Sequence, residues 1–320
     1  MTTNTNKSAK WKKVFLVGVL VVACIGLAVR SIDSSSTQAA TRTVAQEAFQ
    51  TPTQAANALA EAAKTGDQAE LLRILGVEAK ALLTTGETET DKAATDAFAS
   101  KYQQMNRWVD MTDGSRVLYI GADNFAFPVP LAKNPSGQWY FDAVAGAQEV
   151  RARDIGRNEL LAIDACIELA NAQEVYFAIH NTVEFAQRVV STAGKHDGLY
   201  WPASETQAPS LLGQLGEFPK TSTAATSSGE QLVSDGYRLR ILTAQGKDAP
   251  SGAQSYIVNG KMTRGFAILA TPVRFGETGI MTFMMNDNGI VYERDLGPDT
   301  VKLAAAITAY NPDNNWSPVK

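Results

Sequence analysis

The spacing of apolar positions changes several times along this chain, and each change marks an element. Residues 14–29, "VFLVGVLVVACIGLAV", form an unbroken apolar run. After a Ser/Thr/Ala-rich stretch, Ala55, Leu59 and Ala62 recur at helical spacing, with Thr51 as cap and Pro52 at the first helical position. Gly66-Asp67 breaks this helix, and Leu71, Leu72 and Leu75 continue on a second one, stopped by Gly76. Ala94, Phe98, Tyr102 and Met105 predict a third helix over residues 91–108. The period then drops to two: "RVLYIGA", "FAFPVPLAK" and "QWYFDAV" read as strands, the last after an Asn-Pro-Ser-Gly turn.

From residue 155 to 181 the helical period returns. Leu160, Ile163, Ile167, Ala170 and Phe177 form one apolar stripe; Ala162, Cys166, Leu169, Ala172, Val175 and Ile179 form a second beside it. Asp164, Glu168 and Asn171 leave only a narrow polar face, which predicts a largely buried helix. On that reading Ile167→Asp unfolds the surrounding core. Residues 184–233 read as a long irregular region, with "TSTAATSSGE" its most mobile part. The last third is β: "GYRLRIL" alternates, Asn259-Gly260 marks a tight hairpin, and residues 286–289 turn another. Gly297-Pro298-Asp299 starts a terminal helix that Asn311-Pro312 stops.

Helices followed by a small antiparallel sheet, twice over, predict an α+β fold of two domains after an N-terminal apolar segment. The expected divisions are 1–40 (signal or anchor with tether), 41–148 and 149–320. The charged stretch "EVRARDIGR" reads as the joint between the domains. The order of elements in the first resembles the cone-shaped nuclear-transport-factor-2-like and cystatin-like folds.

Charge alters the picture at the N-terminus. Lys7, Lys10, Lys12 and Lys13 precede the apolar run, the pattern of an export signal. As a helix the run spans roughly 24 Å, short of the ~30 Å hydrocarbon core, though Trp11 and Arg30 extend it into the interface. The lysines orient the N-terminus inward and the rest outward. Three fates stay open: cleavage after Ala39, lipid attachment at Cys24, or retention as an inner-membrane anchor through residues 14–29. The expected location is the periplasm or the extracytoplasmic face of the membrane. A net charge of −4 lacks the basic footprint of a nucleic-acid binder. Cys166 is the one cysteine beyond the apolar run, so the exported part forms no intrachain disulfide.

Several blocks occur together and in order: "TPTQAANALAEAAKTGD", "FPVPLAKNPSGQWYFD", "IGRNELLAIDACIELANAQEVY", "GLYWP", "YRLRILTAQG", "YIVNGKMTRGFAILATP" and "GIMTFMMNDNGIVYERDLGPDT". They resemble a bacterial exported family catalogued as domain of unknown function 2950, over nearly everything after residue 48. The resemblance implies export and no particular activity. The helix, loop and strands of the C-terminal half are also similar to the globular domain of type IV pilins and pseudopilins. A pilin's apolar helix runs straight into that domain, whereas here another domain intervenes, so assembly by the pilin route is not implied.

Candidate chemistry is sparse. His180 and Cys166 lie about 21 Å apart along one helix, too far to share an ion, and His196 has Asp197 as its one adjacent ligand type. No metal site or cofactor is expected. There is no G-x-S-x-G, no G-x-x-x-x-G-K and no G-x-G-x-x-G. Cys166 sits on an apolar stripe, where a thiol is inert packing. Glu293 and Asp295 flank Arg294, so both carboxylates point to one face and could serve acid–base chemistry. "KHDGLYWPA" places His196, Asp197, Tyr200 and Trp201 in a loop. Aromatics there suit a protein or sugar partner, or else pin the loop to the sheet. Arg153 and Arg157, with Arg151, suit an anion at a helix start or ion pairs at a joint. The expected function is non-enzymatic binding or structure in the cell envelope, toward an envelope protein or saccharide. The alternative is an envelope hydrolase with a carboxylate pair in an inter-domain cleft.

Overall fold

The computed structural model describes residues 46–179, 183–201, 210–214, 221–226 and 229–319. The export segment, its candidate processing sites and His180 lie outside these residues. Among the described residues no helix is long and apolar enough to cross a membrane. Residues 44–320 cluster as one compact unit.

The first helices begin and end where the cap residues dictate. Helix α1 (Pro52–Thr65) opens with Thr51 Oγ1 accepting from the Gln54 amide at 3.2 Å and closes on left-handed Gly66. Asp67 caps α2 (Gln68–Leu75), accepting from the Ala69 and Glu70 amides. A short turn and α3 (Lys80–Leu83) lead to α4 (Thr88–Gln104). Here the expected helix is too long. It ends at Gln104, and Trp108 lies instead in strand β1 (Asn106–Asp110), opposite Leu118 of β2 (Arg116–Ile120). The reason is the turn between the two strands, where Gly114 takes φ +85° and folds residues 106–110 back into a ladder. Strands β3 (Phe125–Ala126), β4 (Leu131–Lys133) and β5 (Trp139–Phe141) complete a five-stranded antiparallel sheet, ordered β1-β2-β4-β5 with β3 on β2. Leu59, Leu71, Ile74, Leu131 and Phe141 form its core against the helices.

Helix α5 (Ala143–Ile179) starts well before the predicted position. Asp142 Oδ1 accepts from the Ala145 amide, and the charged stretch read as a joint is helical. Its charges pair along the helix, Glu149 with Arg153 and Asp154 with Arg157. Such pairs support a helix by a few tenths of a kcal/mol each. The division expected between residues 148 and 149 therefore falls inside one continuous helix.

Beyond α5 come α6 (Leu211–Gln214), β6 (Thr221–Thr226), β7 (Gly229–Ser234) and β8 (Tyr237–Leu242). The stretch read as irregular thus contributes a hairpin backbone, β6 with β7. Two small ladders follow, β9 (Ala244–Gln245) with β10 (Gln254–Ser255), and β11 (Ile257–Val258) with β12 (Lys261–Met262) around Asn259-Gly260. Then come β13 (Ala267–Pro272), β14 (Met281–Asn286), β15 (Val291–Asp295), α7 (Thr300–Ala306) and β16 (Ser317–Pro318). The main sheet has seven antiparallel strands in the order β16-β15-β14-β13-β8-β7-β6. The chain is accordingly α+β, with helices on antiparallel sheets.

Helix α5 lies on one face of this sheet against β13, β14 and β8. Tyr237, Leu239 and Ile241 face it, in register with Pro272, Ala270 and Ile268. The helix meets them along one stripe alone. Of the second stripe Ala162, Cys166, Leu169 and Ala172 are buried but Ile179 is 58% exposed, and of the first stripe Leu160 is 62% exposed and Ile167 41%. The expectation of a largely buried helix therefore holds on the side that meets the sheet and fails on the other. A helix on a single sheet face is covered on one side, and its outer apolar residues stay in water. Leu169→Ala, at a fully buried site, is expected to cost about 2–5 kcal/mol. Ile167→Asp is expected to shift stability by about 1 kcal/mol or less. Urea unfolding followed by circular dichroism measures both.

Candidate functional site

The loop singled out in the sequence is built as a closed ring. Val190 and Tyr200 form a parallel bridge, and the Leu199 and Tyr200 amides both donate to Val189 O at 2.8 Å. Asp197 closes the ring from inside, its carboxylate accepting from the Thr192 amide at 2.7 Å and the Thr192 hydroxyl at 2.8 Å. Burial works to raise the Asp197 carboxyl, but the Thr192 donors and Arg188 together hold it below the ordinary carboxylate range. Gly198 is a further requirement. A Cβ there would come within 2.8 Å of Ser191 N and 2.9 Å of Val190 C.

Within this ring the aromatic residues point to different places. Trp201 is buried in the second core and Tyr200 is half-buried against it. His196 is exposed and stacks on Trp201, ring centroids 4.3 Å apart at 13°. The outward surface of the loop is therefore His196, carried on an anchored indole.

The arginines belong elsewhere. Arg153 Nη1 donates to Ala126 O at 2.8 Å, its guanidinium lies 5.7 Å from the Phe125 ring centroid, and Nε pairs with Glu149. Arg157 pairs with Asp154. Both sit within α5, far past its first turn, so the helix-start reading does not apply. Arg153 instead ties α5 to the first sheet.

A third constellation joins α5 to the main sheet. Glu159 Oε1 accepts from the amides of Ile280 at 2.9 Å and Met281 at 3.0 Å. Asn158 Nδ2 donates to Thr278 O, and the Tyr237 hydroxyl donates to Met281 O. Gly279 is obligatory, since a Cβ would fall 2.1 Å from the Tyr237 hydroxyl. The register of β15 turns Glu293 and Asp295 to the α5 side, opposite Phe283 and Met281. The two acids nonetheless part company: Asp295 is exposed and accepts from the Gly297 amide, while Glu293 is half-buried near Glu159. Sequence reasoning counted Glu159 among the carboxylates of this helix but gave it no partner. The available signal was a glutamate in phase with the stripe of Ala162, Cys166 and Leu169.

With this geometry in hand, residues 46–319 match the family described as Protein of unknown function (DUF2950). The chain belongs to that family. Comparison with the curated proteins and with the solved structures gives no match.

In this DUF2950 protein the Cys166 thiol is fully buried, and desolvation pushes it up to about 12, so it is no thiolate at neutral pH. Among the described residues no group of three His, Cys, Asp or Glu side chains is placed to hold a metal ion. An open groove between α1 and α4 is lined by Asn57, Lys64, Tyr102 and Gln103. Burial raises the Glu293 carboxyl above its ordinary range, and the charge of Glu159 raises it further. The native state then holds the Glu293 proton more tightly than the unfolded chain does. Stability from this group is fully present at low pH and falls as pH rises through the Glu293 range. Glu293→Gln is therefore expected to raise the melting temperature at pH 7, with the gain shrinking toward pH 4. Paired thermal melts across that range measure the difference.

Proposed function

We propose that this DUF2950 protein is exported and acts outside the cytoplasm by binding, with the His196 loop as its contact surface. The observation that carries the reading is the state of that loop. Its backbone is locked by the Val189 and Tyr200 hydrogen bonds and by Asp197, while the His196 ring is presented to solvent on Trp201. A contact surface already held in shape loses little entropy on binding. Flat paired rings suit either an aromatic or arginine side chain of an envelope protein or the apolar face of a sugar.

Export is supported by the lysines and apolar run of residues 7–29. Whether that run is cleaved, lipidated or kept as an anchor does not alter the reading. The pilin-like likeness of the C-terminal half is supported by a long helix lying across an antiparallel sheet. A non-catalytic role is supported by how the reactive groups are used: Glu159 clamps two backbone amides, and the Cys166 thiol is sealed.

One observation favours a second reading. Glu293, whose carboxyl is pushed above the ordinary range by burial and then by the charge of Glu159, has the direction of shift a general acid needs. The two readings separate by substitution. Binding through the loop predicts that His196→Ala abolishes cross-linking to the native partner in fractionated cells, with the melting temperature within about 2 °C of wild type, as befits an exposed side chain. In that case Glu293→Gln leaves the cross-link intact. Retention of the cross-link in His196→Ala, with hydrolysis of an envelope substrate lost in Glu293→Gln, would replace binding by catalysis. Recovery of the protein in the cytoplasmic fraction would sink the export reading.

A further inference from the structure

The face of the main sheet turned away from α5 carries α7, and one row of side chains on it stands out. The β8–β13 pairing sets Arg238 opposite Thr271, and the β14–β15 pairing sets Thr282 opposite Arg294. The β13–β14 ladder ends at Ala270–Phe283, and Thr271 and Thr282 are the next residues along the two strands. Four neighbouring strands thus present arginine, threonine, threonine, arginine in one line. At about 4.8 Å per strand the two arginine backbones stand roughly 14 Å apart, a gap that two long stems can close from either end.

The adjacent row shows how an arginine on this face is normally satisfied. Arg240 Nη2 donates to the Ala304 and Ile307 carbonyls at the end of α7, each at 2.8 Å. Arg238 and Arg294 have no comparable partner among the described residues: neither makes an ion pair or a side-chain hydrogen bond there. Asp313 accepts from Asn315 and couples to Arg294 through its charge without forming an ion pair with it.

Among the described residues three buried side-chain polar atoms lack a hydrogen bond: Glu47 Oε2, Arg238 Nε and Thr282 Oγ1. The first lies 2.8 Å from Arg73 Nη2 as an ion pair. The other two both belong to this row, and Thr282 is fully buried. A buried polar group without a partner is destabilising, because it has given up water and gained nothing in return. Two of them share one row, between two arginines that form no ion pair among the described residues.

We propose that the Arg238–Thr271–Thr282–Arg294 row binds a phosphate-class oxyanion. Every group in it can donate, so its ligand must accept several hydrogen bonds and carry negative charge. Each guanidinium offers a planar fork that matches two oxygens of a tetrahedral anion, and the hydroxyls complete the shell. A carboxylate has two oxygens and leaves part of this donor set unused. Because Thr282 is sealed, the anion reaches its hydroxyl only when the side chains covering it move aside. The ligand is either free phosphate or the phosphate of a lipid headgroup. The site is separate from the His196 loop and stands whether or not that loop binds a partner.

The test uses the full chain with inorganic phosphate, titrated against chloride at matched ionic strength. The expected result is a saturable rise in melting temperature with phosphate and none with chloride. Arg238→Gln and Arg294→Gln are each expected to weaken the apparent phosphate affinity at least tenfold. Thr282→Val keeps the shape and removes the unpaired hydroxyl; it is expected to melt higher without phosphate and to bind phosphate several-fold more weakly. Equal shifts with phosphate and chloride would overturn the proposal, as would unchanged phosphate affinity in all three variants. A second arm separates the sources. Co-sedimentation with phosphatidylglycerol vesicles, competed by phosphate and lost in Arg238→Gln, assigns the site to a headgroup. Phosphate binding without co-sedimentation assigns it to the free anion.

Discussion

The seating of α5 on the seven-stranded sheet is the constraint from which the rest follows. Between its ends the contact is apolar and non-directional, made by Ala162, Cys166, Leu169 and Ala172. Small side chains dominate this stripe and let the helix lie close to the strands, but by themselves they set no register. Polar side chains do, Asn158 on Thr278 O among them. Glu159 accepts from the Ile280 and Met281 amides, and Gln173, fully buried, both donates to Ala186 O and accepts from Ala186 N. A shift of one turn would leave both sets of partners unpaired in the interior, which is far costlier than exchanging one apolar contact for another.

That seating also spends the chemistry that a reader of the sequence would first consider. A cysteine on the stripe is dehydrated and inert, a glutamate is a clamp, and the Tyr237 hydroxyl is bound to Met281 O. The same helix runs back to the first sheet, where Gly146 lies so close to Val129 that a Cβ would stand 2.7 Å from Val129 Cγ2, and Arg153 reaches Ala126 O. One helix thus touches both hydrophobic cores. The surfaces proposed for recognition lie off the helix, on the His196 loop and on the far face of the sheet.

Local signals were sufficient wherever the determining interaction is local. Thr51 with Pro52, Asp67 and Gly66 mark helix ends because a cap bonds its own neighbours within a turn. Asn259-Gly260 marks its hairpin because both residues sit at positive φ. Alternation in "GYRLRIL" separates Tyr237, Leu239 and Ile241 from the arginines because a strand has two faces. The same rules misjudged α4, where the apolar stripe continues past Gln104 while the chain folds back, and the 143–154 stretch, where charges that look like a joint pair along a helix.

The sequence alone determined the α+β class, the ends of the first helices, the family resemblance and the two faces of β8, since these depend on short-range periodicity and turn geometry. Tertiary structure alone decided which apolar residues of α5 are covered, because burial depends on what lies opposite and only one side of a helix meets a sheet. It also decided which acid stands near Glu293, that Trp201 serves the core while His196 faces out, and that Arg238 and Arg294 share a row with two threonines. Those relations arise from strand register and helix docking, which bring together residues that no spacing along the chain connects.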